Sequence, residues 1–362
     1  EIVDKYHTLN KKAFNDFGIS FNIYDRTSSP VHPEKAANFF KKLHGEGVYE
    51  ENQFMVMDYI MEAARRNGIR MVLVLTGYWE AYGGIDKRLA WEGLPYGDHP
   101  SRSVFFKHEG CKQQYKNHAA HWINRINSIS GMPYRDDPAL FAWQLCNEPR
   151  YQDATPNENS TGETFRVWVD EMGSYIKSLD PNHMVSLGIE GHESRYGFGG
   201  DEGNPFIYSH QSPYIDYTTA HPYPTEEWAD LSLEETEDLL RAWIADSHGP
   251  VGKPFVMDEF NVHSDKVDRN LWWDRLFNVL EDQDAAGSCF WWYEGRNQDN
   301  IFGAAHGDPE LTVFKAHSDV MAAKSQGGPP PTDTPGFSFS PGDFNVTGYL
   351  EQNDGIHVYY YM

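Results

Sequence analysis

The chain has 362 residues, 40% of them apolar and 15% aromatic, enough to core one large barrel or two modest domains. With 54 acidic against 30 basic residues, its net charge of −24 argues against nucleic acid or an anionic membrane surface as partner; it fits a neutral polymer, or simple solubility. Cys111, Cys146 and Cys289 are too few, and odd in number, for a disulfide framework, and no run approaches the length of a membrane span.

The opening Glu1-Ile-Val-Asp-Lys-Tyr carries neither an initiating Met nor a signal peptide and reads as a cut end. Residues 1–17 have apolar residues at helical spacing, and Ile19 to Tyr24 reads as a short strand. The spacing of Phe54, Met57, Ile60, Met61 and Ala64 predicts a helix over 52–67, closed by Gly68. A buried strand at 70–75 follows, then an aromatic loop, Gly77-Tyr78-Trp79-Glu80-Ala81-Tyr82-Gly83-Gly84, with Trp91 beyond it. The alternation then repeats, with helices over 115–129, 165–179, 233–247 and 270–283. Strands fall at 140–146, 184–189, 215–219, 254–257 and 287–292. Strand and helix alternating this often predicts an α/β fold with a parallel sheet closed as a (β/α)8 TIM barrel. Only seven strands are legible, so the first is expected to precede residue 1. At Lys324-Ser-Gln-Gly-Gly-Pro-Pro-Pro-Thr-Asp-Thr-Pro335 the composition turns to linker type. The expected organisation is therefore a catalytic barrel at 1–323, a Gly/Pro/Thr linker at 324–335 and a short segment at 336–362. That last segment is either the start of a truncated appended module or a strand completing the barrel.

Barrel strands point their C-terminal tips at one mouth, where active sites form. Phe141-Ala-Trp-Gln-Leu-Cys-Asn147-Glu148-Pro149-Arg150 is an apolar run that ends on an amide and a carboxyl. Lys253-Pro-Phe-Val-Met-Asp258-Glu259-Phe260 has the same design, His221-Pro-Tyr223-Pro ends a third strand, and Trp291 and Trp292 end the last. Each has an innocent explanation: a helix start at Asn-Glu-Pro, solvated loop carboxylates at Asp-Glu, a structural histidine at His221. Collected at separate tips of one barrel, they form what a glycosidase needs, one carboxyl as acid and base and a second as nucleophile or base.

The ordered set resembles glycoside hydrolase family 5, and within it the endo-β-1,4-mannanases, from about Gly18 to about Ala323. Asn147-Glu148-Pro149 is similar to the family's acid/base motif, and Trp79-Glu-Ala-Tyr-Gly-Gly84 to the mannanase Trp-Asp-Ala-Tyr-Gly-Gly segment. Leu187-Gly-Ile-Glu-Gly191, His221-x-Tyr223-Pro with Trp228, and Asp258-Glu259-Phe260 resemble the family's later segments. The resemblance implies that Glu148 is the acid/base and Glu259 the nucleophile, about 5–5.5 Å apart as retention requires. Their proton affinities would be pushed apart so that Glu148 keeps its proton. Asn147 would hold the sugar 2-hydroxyl, Tyr223 would donate to Glu259, and His221 would line the same site. Trp291 would floor that sugar, and Trp79, Trp91 and Trp228 would stack on flanking sugars or pack in the core. Two departures stand out. The family's second strand supplies an Arg that braces the nucleophile, and here the nearest is Arg26; Gly77-Tyr78 replaces two Asn residues.

The expectation is a secreted, monomeric, retaining endo-β-1,4-mannanase acting on a polysaccharide, with no metal, cofactor, nucleic acid or membrane partner. The extracellular placement is inferred from the substrate class and the Pro/Thr linker. The alternatives are a β-1,4-glucanase of the same family and a catalytically weak glycan-binding protein. No phosphate loop, Gly-x-Gly-x-x-Gly or closely spaced His/Cys ligand set supports a nucleotide- or metal-dependent enzyme.

Overall fold

A computed structural model of the chain describes residues 49, 51–66, 68–80, 84–152, 157–293, 301–304, 307–325 and 358–361. The helix expected at 1–17, the strand at 19–24, Arg26 and nearly all of the linker and tail lie outside the described residues.

Six parallel strands follow one another in chain order: β1 (Arg70–Val74), β2 (Leu140–Gln144), β3 (Met184–Ser186), β4 (Thr218–Thr219), β5 (Phe255–Met257) and β6 (Gly287–Ser288). They are the six strands expected after residue 24, several of them shorter than the apolar runs that encode them. They form two sheets, β3-β2-β1 and β4-β5-β6, bridged where Asp216 N donates to Val185 O (2.9 Å) and His221 N to Glu190 O (3.0 Å). A further strand, β7 (Val358–Tyr361), pairs antiparallel with β1 on the side away from β2.

Seven helices of eight residues or more separate the strands among the described residues: α1 (Glu51–Arg66), α2 (Gly84–Trp91), α3 (Glu109–Ile123), α4 (Glu163–Leu179), α5 (Leu233–Asp246), α6 (Arg269–Asp282) and α7 (Pro309–Ser325). Helices α1, α4 and α5 carry an apolar stripe toward the strands. In α4 it is Phe165, Trp168, Val169, Met172 and Ile176, all buried, at the three-and-four spacing of a one-sided helix. Helix α5 starts where Ser232 and Glu235 cap each other reciprocally. The strands bury both faces, as parallel sheets do. Val72 and Val74 of β1 join Ala142, Tyr217, Val256 and Cys289 in a small inner cluster. Met71, Leu73 and Leu75 instead face the large outer core under the helices. This period-two division into inside and outside is that of a barrel wall.

Three expectations need correction. The helix expected at 115–129 runs instead over Glu109–Ile123. His108 caps its start, and Asn127 Oδ1 accepts from Ile129 N and Ser130 N to fold the following residues into a turn. Ile126 and Ile129, which extended the apolar pattern, are exposed. Trp91 belongs to helix α2 rather than a loop, and α7 was not anticipated.

Candidate active site

The backbone alone brings the two carboxyl-bearing tips together. Beyond β2, Asn147 N donates to Thr76 O (2.8 Å) and Tyr78 N to Asn147 O (3.0 Å), which locks this tip to the one after β1. Glu148 N donates to Gly188 O at 2.7 Å, and Glu148 takes φ +52°, a left-handed conformation uncommon outside glycine. That turn aims its carboxyl back over the strand ends, and such strain persists only where neighbours hold it. Gly188 itself has φ +78°; a Cβ there would stand 1.9 Å from Gln144 Nε2 and 2.3 Å from Cys146 O, so only glycine fits. Beyond β5 come Asp258 and Glu259, both buried. Trp291 N, after β6, donates to Phe260 O at 2.9 Å, which puts Trp291 beside the Glu259 tip.

The side chains converge on His221, which is fully buried. Its Nδ1 lies 3.0 Å from Glu148 Oε1 and 3.9 Å from Glu259 Oε2, while Nε2 lies 3.1 Å from Asp258 Oδ1. One oxygen each of Glu148 and Glu259 and a ring nitrogen of His221 all fall within 4.8 Å of one another. Tyr223 donates its hydroxyl to Glu259 Oε1 at 2.7 Å. Trp79 Nε1 donates to Glu148 Oε2 at 2.5 Å.

A second polar cluster backs the first. Arg150 donates to Glu190 Oε2 (2.8 Å), Glu190 Oε1 (2.6 Å) and Glu202 Oε1 (2.9 Å), and its guanidinium lies 4.9 Å from the centre of the Trp79 ring. His192 Nδ1 meets Glu202 Oε2 at 3.1 Å. The Trp228 ring leans on His192 and Phe198, at 4.7 and 5.1 Å between centroids, yet stays 51% exposed.

The charges in this site are strongly coupled. Burial alone would push the Glu148 carboxyl up, but the hydrogen bond and charge of His221, the Trp79 N–H and Arg150 outweigh it and lower it to about 2. Burial pulls His221 down, whereas Asp258 and Glu259, with the contact to Glu148, carry it well above the ordinary imidazole value. Burial raises Asp258, partly offset by His221, and burial with the neighbouring Glu259 raises the Tyr223 hydroxyl. These interactions favour the charged form of both Glu148 and His221. Glu148 was expected to keep its proton while Glu259 is ionised; His221, at hydrogen-bond distance from Glu148, competes for that proton.

Of the residues singled out from sequence, Glu148, Glu259, His221, Tyr223 and Trp79 form one connected cluster, with buried Asn147 and half-buried Trp291 attached through the backbone. Trp79 acts as a hydrogen-bond donor with Arg150 against one face, which removes that face from sugar stacking. Trp91 packs under Lys87, 5.5 Å from the ring centre, and makes no contact with the cluster among the described residues. Trp228 presents an open ring. Sequence reasoning passed over Asp258, Arg150, Glu190, His192 and Glu202 as site residues. The segments bearing Asp258, Arg150 and Glu190 were in view, but nothing local told which would pair.

Glu148, His221 and Glu259, and likewise Glu190, His192 and Glu202, are close enough to surround a cation. In the first trio His221 and the Tyr223 hydroxyl already occupy the carboxylate oxygens, and in the second Arg150 supplies the positive charge. Neither is assigned to a metal. A cavity of about 550 Å³ beside Lys253, Pro254, Ala286 and Lys324 opens at the opposite ends of the strands, away from this chemistry.

Residues 28–309 match the family model described as GH family 5 beta-mannosidase-like. Mannan endo-1,4-beta-mannosidase 1 of Arabidopsis thaliana is 33% identical over 282 residues, covering 71% of this chain and 66% of that protein. Mannan endo-1,4-beta-mannosidase 8 of Oryza sativa subsp. japonica is 34% identical over 232 residues, covering 59% and 60% respectively. The chain therefore spans less than two thirds of the length of these relatives. Among solved structures, the endo-beta-1,4-mannanase from Thermotoga petrophila superposes with a TM-score of 0.67 at 26% identity over 78% of this chain and 68% of that one. The endo-1,4-beta-mannanase from Rhizomucor miehei gives 0.64 at 30% identity, over 74% and 76%.

Proposed function

The chain belongs to glycoside hydrolase family 5, and from that premise we propose that it is a retaining, endo-acting hydrolase of β-1,4-mannosidic bonds in mannan-type polysaccharides. The observation that carries this reading is the spacing of the two carboxyls. One carboxylate oxygen of Glu148 lies no more than 4.8 Å from one of Glu259. That is the compact geometry of direct nucleophilic attack; an inverting site leaves about 6.5–9.5 Å for a water.

In the first half-reaction Glu259 attacks the anomeric carbon while Glu148 protonates the departing glycosidic oxygen, which gives a glycosyl ester on Glu259. In the second, Glu148 takes a proton from water as that water attacks the same carbon and releases Glu259. Tyr223 donates its one hydroxyl hydrogen to Glu259 Oε1, so the carboxylate is oriented before substrate arrives. Asn147 is assigned to the sugar 2-hydroxyl and Trp291 to the floor under that sugar. Trp228, with an open ring, is assigned to a flanking sugar. A polymeric substrate also implies work outside the cell, and among the described residues no helix is long and apolar enough to cross a membrane. The catalytic unit is read as 1–323 and 324–335 as a linker, with 336–362 either the start of an appended module or a strand completing the barrel, the second favoured by the pairing of Val358–Tyr361 with β1.

Release of reducing ends from mannan, glucomannan and cellulose tests the reading, with Glu148→Gln and Glu259→Gln alongside. Mannan cleavage that falls by several orders of magnitude in both variants is the expected result. Cleavage of cellulose alone would keep the mechanism and overturn the substrate, and folded protein that binds glycan without turnover would overturn both.

A further inference from the structure

The mechanism leaves a proton unaccounted for. Glu148 must carry one to act as an acid, yet His221 Nδ1 and the Trp79 N–H both stand against its carboxylate oxygens and favour the ionised form. The nearest donor is His221 Nδ1, 3.0 Å from Glu148 Oε1. His221 is enclosed by Glu148 from the β2 tip and by Asp258 and Glu259 from the β5 tip. The next charged groups outward are Arg150 and Glu190, and Glu190 O also accepts the His221 backbone N–H at 3.0 Å. Both ring nitrogens therefore face carboxylates. Asp258 is buried, and its Oδ1 lies 3.1 Å from His221 Nε2, an ion-pair contact. It touches neither Glu148 nor the open cleft, so substrate contact does not explain it.

We propose that Asp258 is a positioning residue that holds Nε2 of His221, so that His221 stores the acid proton and hands it to Glu148 through Nδ1. At rest the imidazole is doubly protonated and Glu148 is a carboxylate. When substrate enters, the proton moves along the 3.0 Å contact from Nδ1 to Glu148 Oε1, leaving neutral His221 with its remaining proton on Nε2, 3.1 Å from Asp258 Oδ1. Glu148 then gives that proton to the leaving oxygen as Glu259 bonds the sugar. In the second half-reaction Glu148 takes a proton from the attacking water and returns it to Nδ1, so the cycle closes with no proton gained or lost. The arrangement uses a buried carboxylate to fix an imidazole tautomer, as hydrolytic triads do.

This inference rests on the retaining reading above, and its test separates the two. In Asp258→Asn the imidazolium loses its second anion and holds its proton less tightly. The basic limb of the kcat/KM profile on mannan should therefore move to lower pH by at least one unit, with kcat down about tenfold or more. In parallel, NMR of the full chain labelled with 15N-histidine, with the His221 signals assigned by their loss in His221→Gln, reads ring protonation without any turnover. Wild type should show two ring N–H groups at pH 7, and Asp258→Asn should lose one at lower pH. A single ring N–H in wild type, or the same His221 titration in both proteins, overturns the proposal. So does a lower kcat with an unmoved basic limb, the mark of a merely structural Asp258. If wild type turns over no glycan, the functional reading fails, and the NMR titration still decides the role of Asp258.

Discussion

Replacing Arg150 by Met would remove five donors while keeping most of the unbranched stem, so it tests the second polar cluster with little change of packing. Arg150 makes three charge-assisted hydrogen bonds of 2.6–2.9 Å to Glu190 and Glu202, and the side chains of both acids are only 7% exposed. Without the guanidinium, two buried carboxylates are left with His192 as their nearest basic partner. Breaking a buried pair by removing one partner costs about 3–5 kcal/mol. At about 2 °C per kcal/mol for a large domain, Tm should fall by roughly 6–10 °C. The deficit has a definite pH dependence. Burial, together with the charge of Glu148, already raises Glu190, and loss of Arg150 pushes it further up. A carboxyl whose folded value lies above its unfolded one contributes stability at low pH and loses it as pH rises through the folded value. The variant should therefore be weakest near pH 7 and recover toward pH 5. Urea unfolding followed by tryptophan fluorescence at both pH values measures this. A loss below about 1 kcal/mol at pH 7, or one that is the same at both pH values, would refute the claim that Arg150 neutralises this cluster.

Tyr223→Phe deletes the 2.7 Å hydrogen bond to Glu259, the proposed nucleophile, a charge-assisted bond in that role and worth about 1.5–3 kcal/mol; steady-state assays on mannan should show kcat lowered by roughly 10- to 150-fold with KM little changed. Gly188→Ala puts a Cβ into Gln144 and Cys146 at φ +78° and disturbs the carbonyl that holds Glu148 N, so thermal unfolding should show a loss of at least about 2 kcal/mol and kcat should fall with it. Asp58 accepts from Arg125, Ser128 and Tyr134; burial opposes its ionisation, but these donors, Arg125 foremost, hold its carboxyl below the ordinary value. A depressed carboxyl contributes stability above its unfolded value and loses it as pH falls through the folded one. Asp58→Asn should accordingly lose about 3 kcal/mol at pH 7, with the gap to wild type closing below about pH 4 in acid-unfolding curves.

The apolar runs ending in Asn147-Glu148 and Asp258-Glu259, and the repeat of strand and helix, were legible in the chain because each is a local pattern. A run of buried residues dictates a strand, and the polar residues just past its end must leave the sheet. From that repeat comes the common mouth of the strands, and with it which side chains gather there. The boundaries of α3 were not legible, since Ile126 and Ile129 continue an apolar period that the Asn127 turn interrupts. The partners of each charged group were equally hidden. His221 meets Glu148 across 73 positions of sequence, and Arg150 meets Glu190 across 40. No local pattern encodes such pairs, because Coulomb and hydrogen-bond energies depend on distances that exist only once the strands lie side by side. Sequence by itself determined the two carboxylates and the strands that carry them. Tertiary structure alone decided that His221 competes with Glu148 for a proton, that Trp79 bonds Glu148 with Arg150 at its face, and that Asp258 stands behind His221, since each of these is set by what has been brought within about 3–5 Å in a largely buried site.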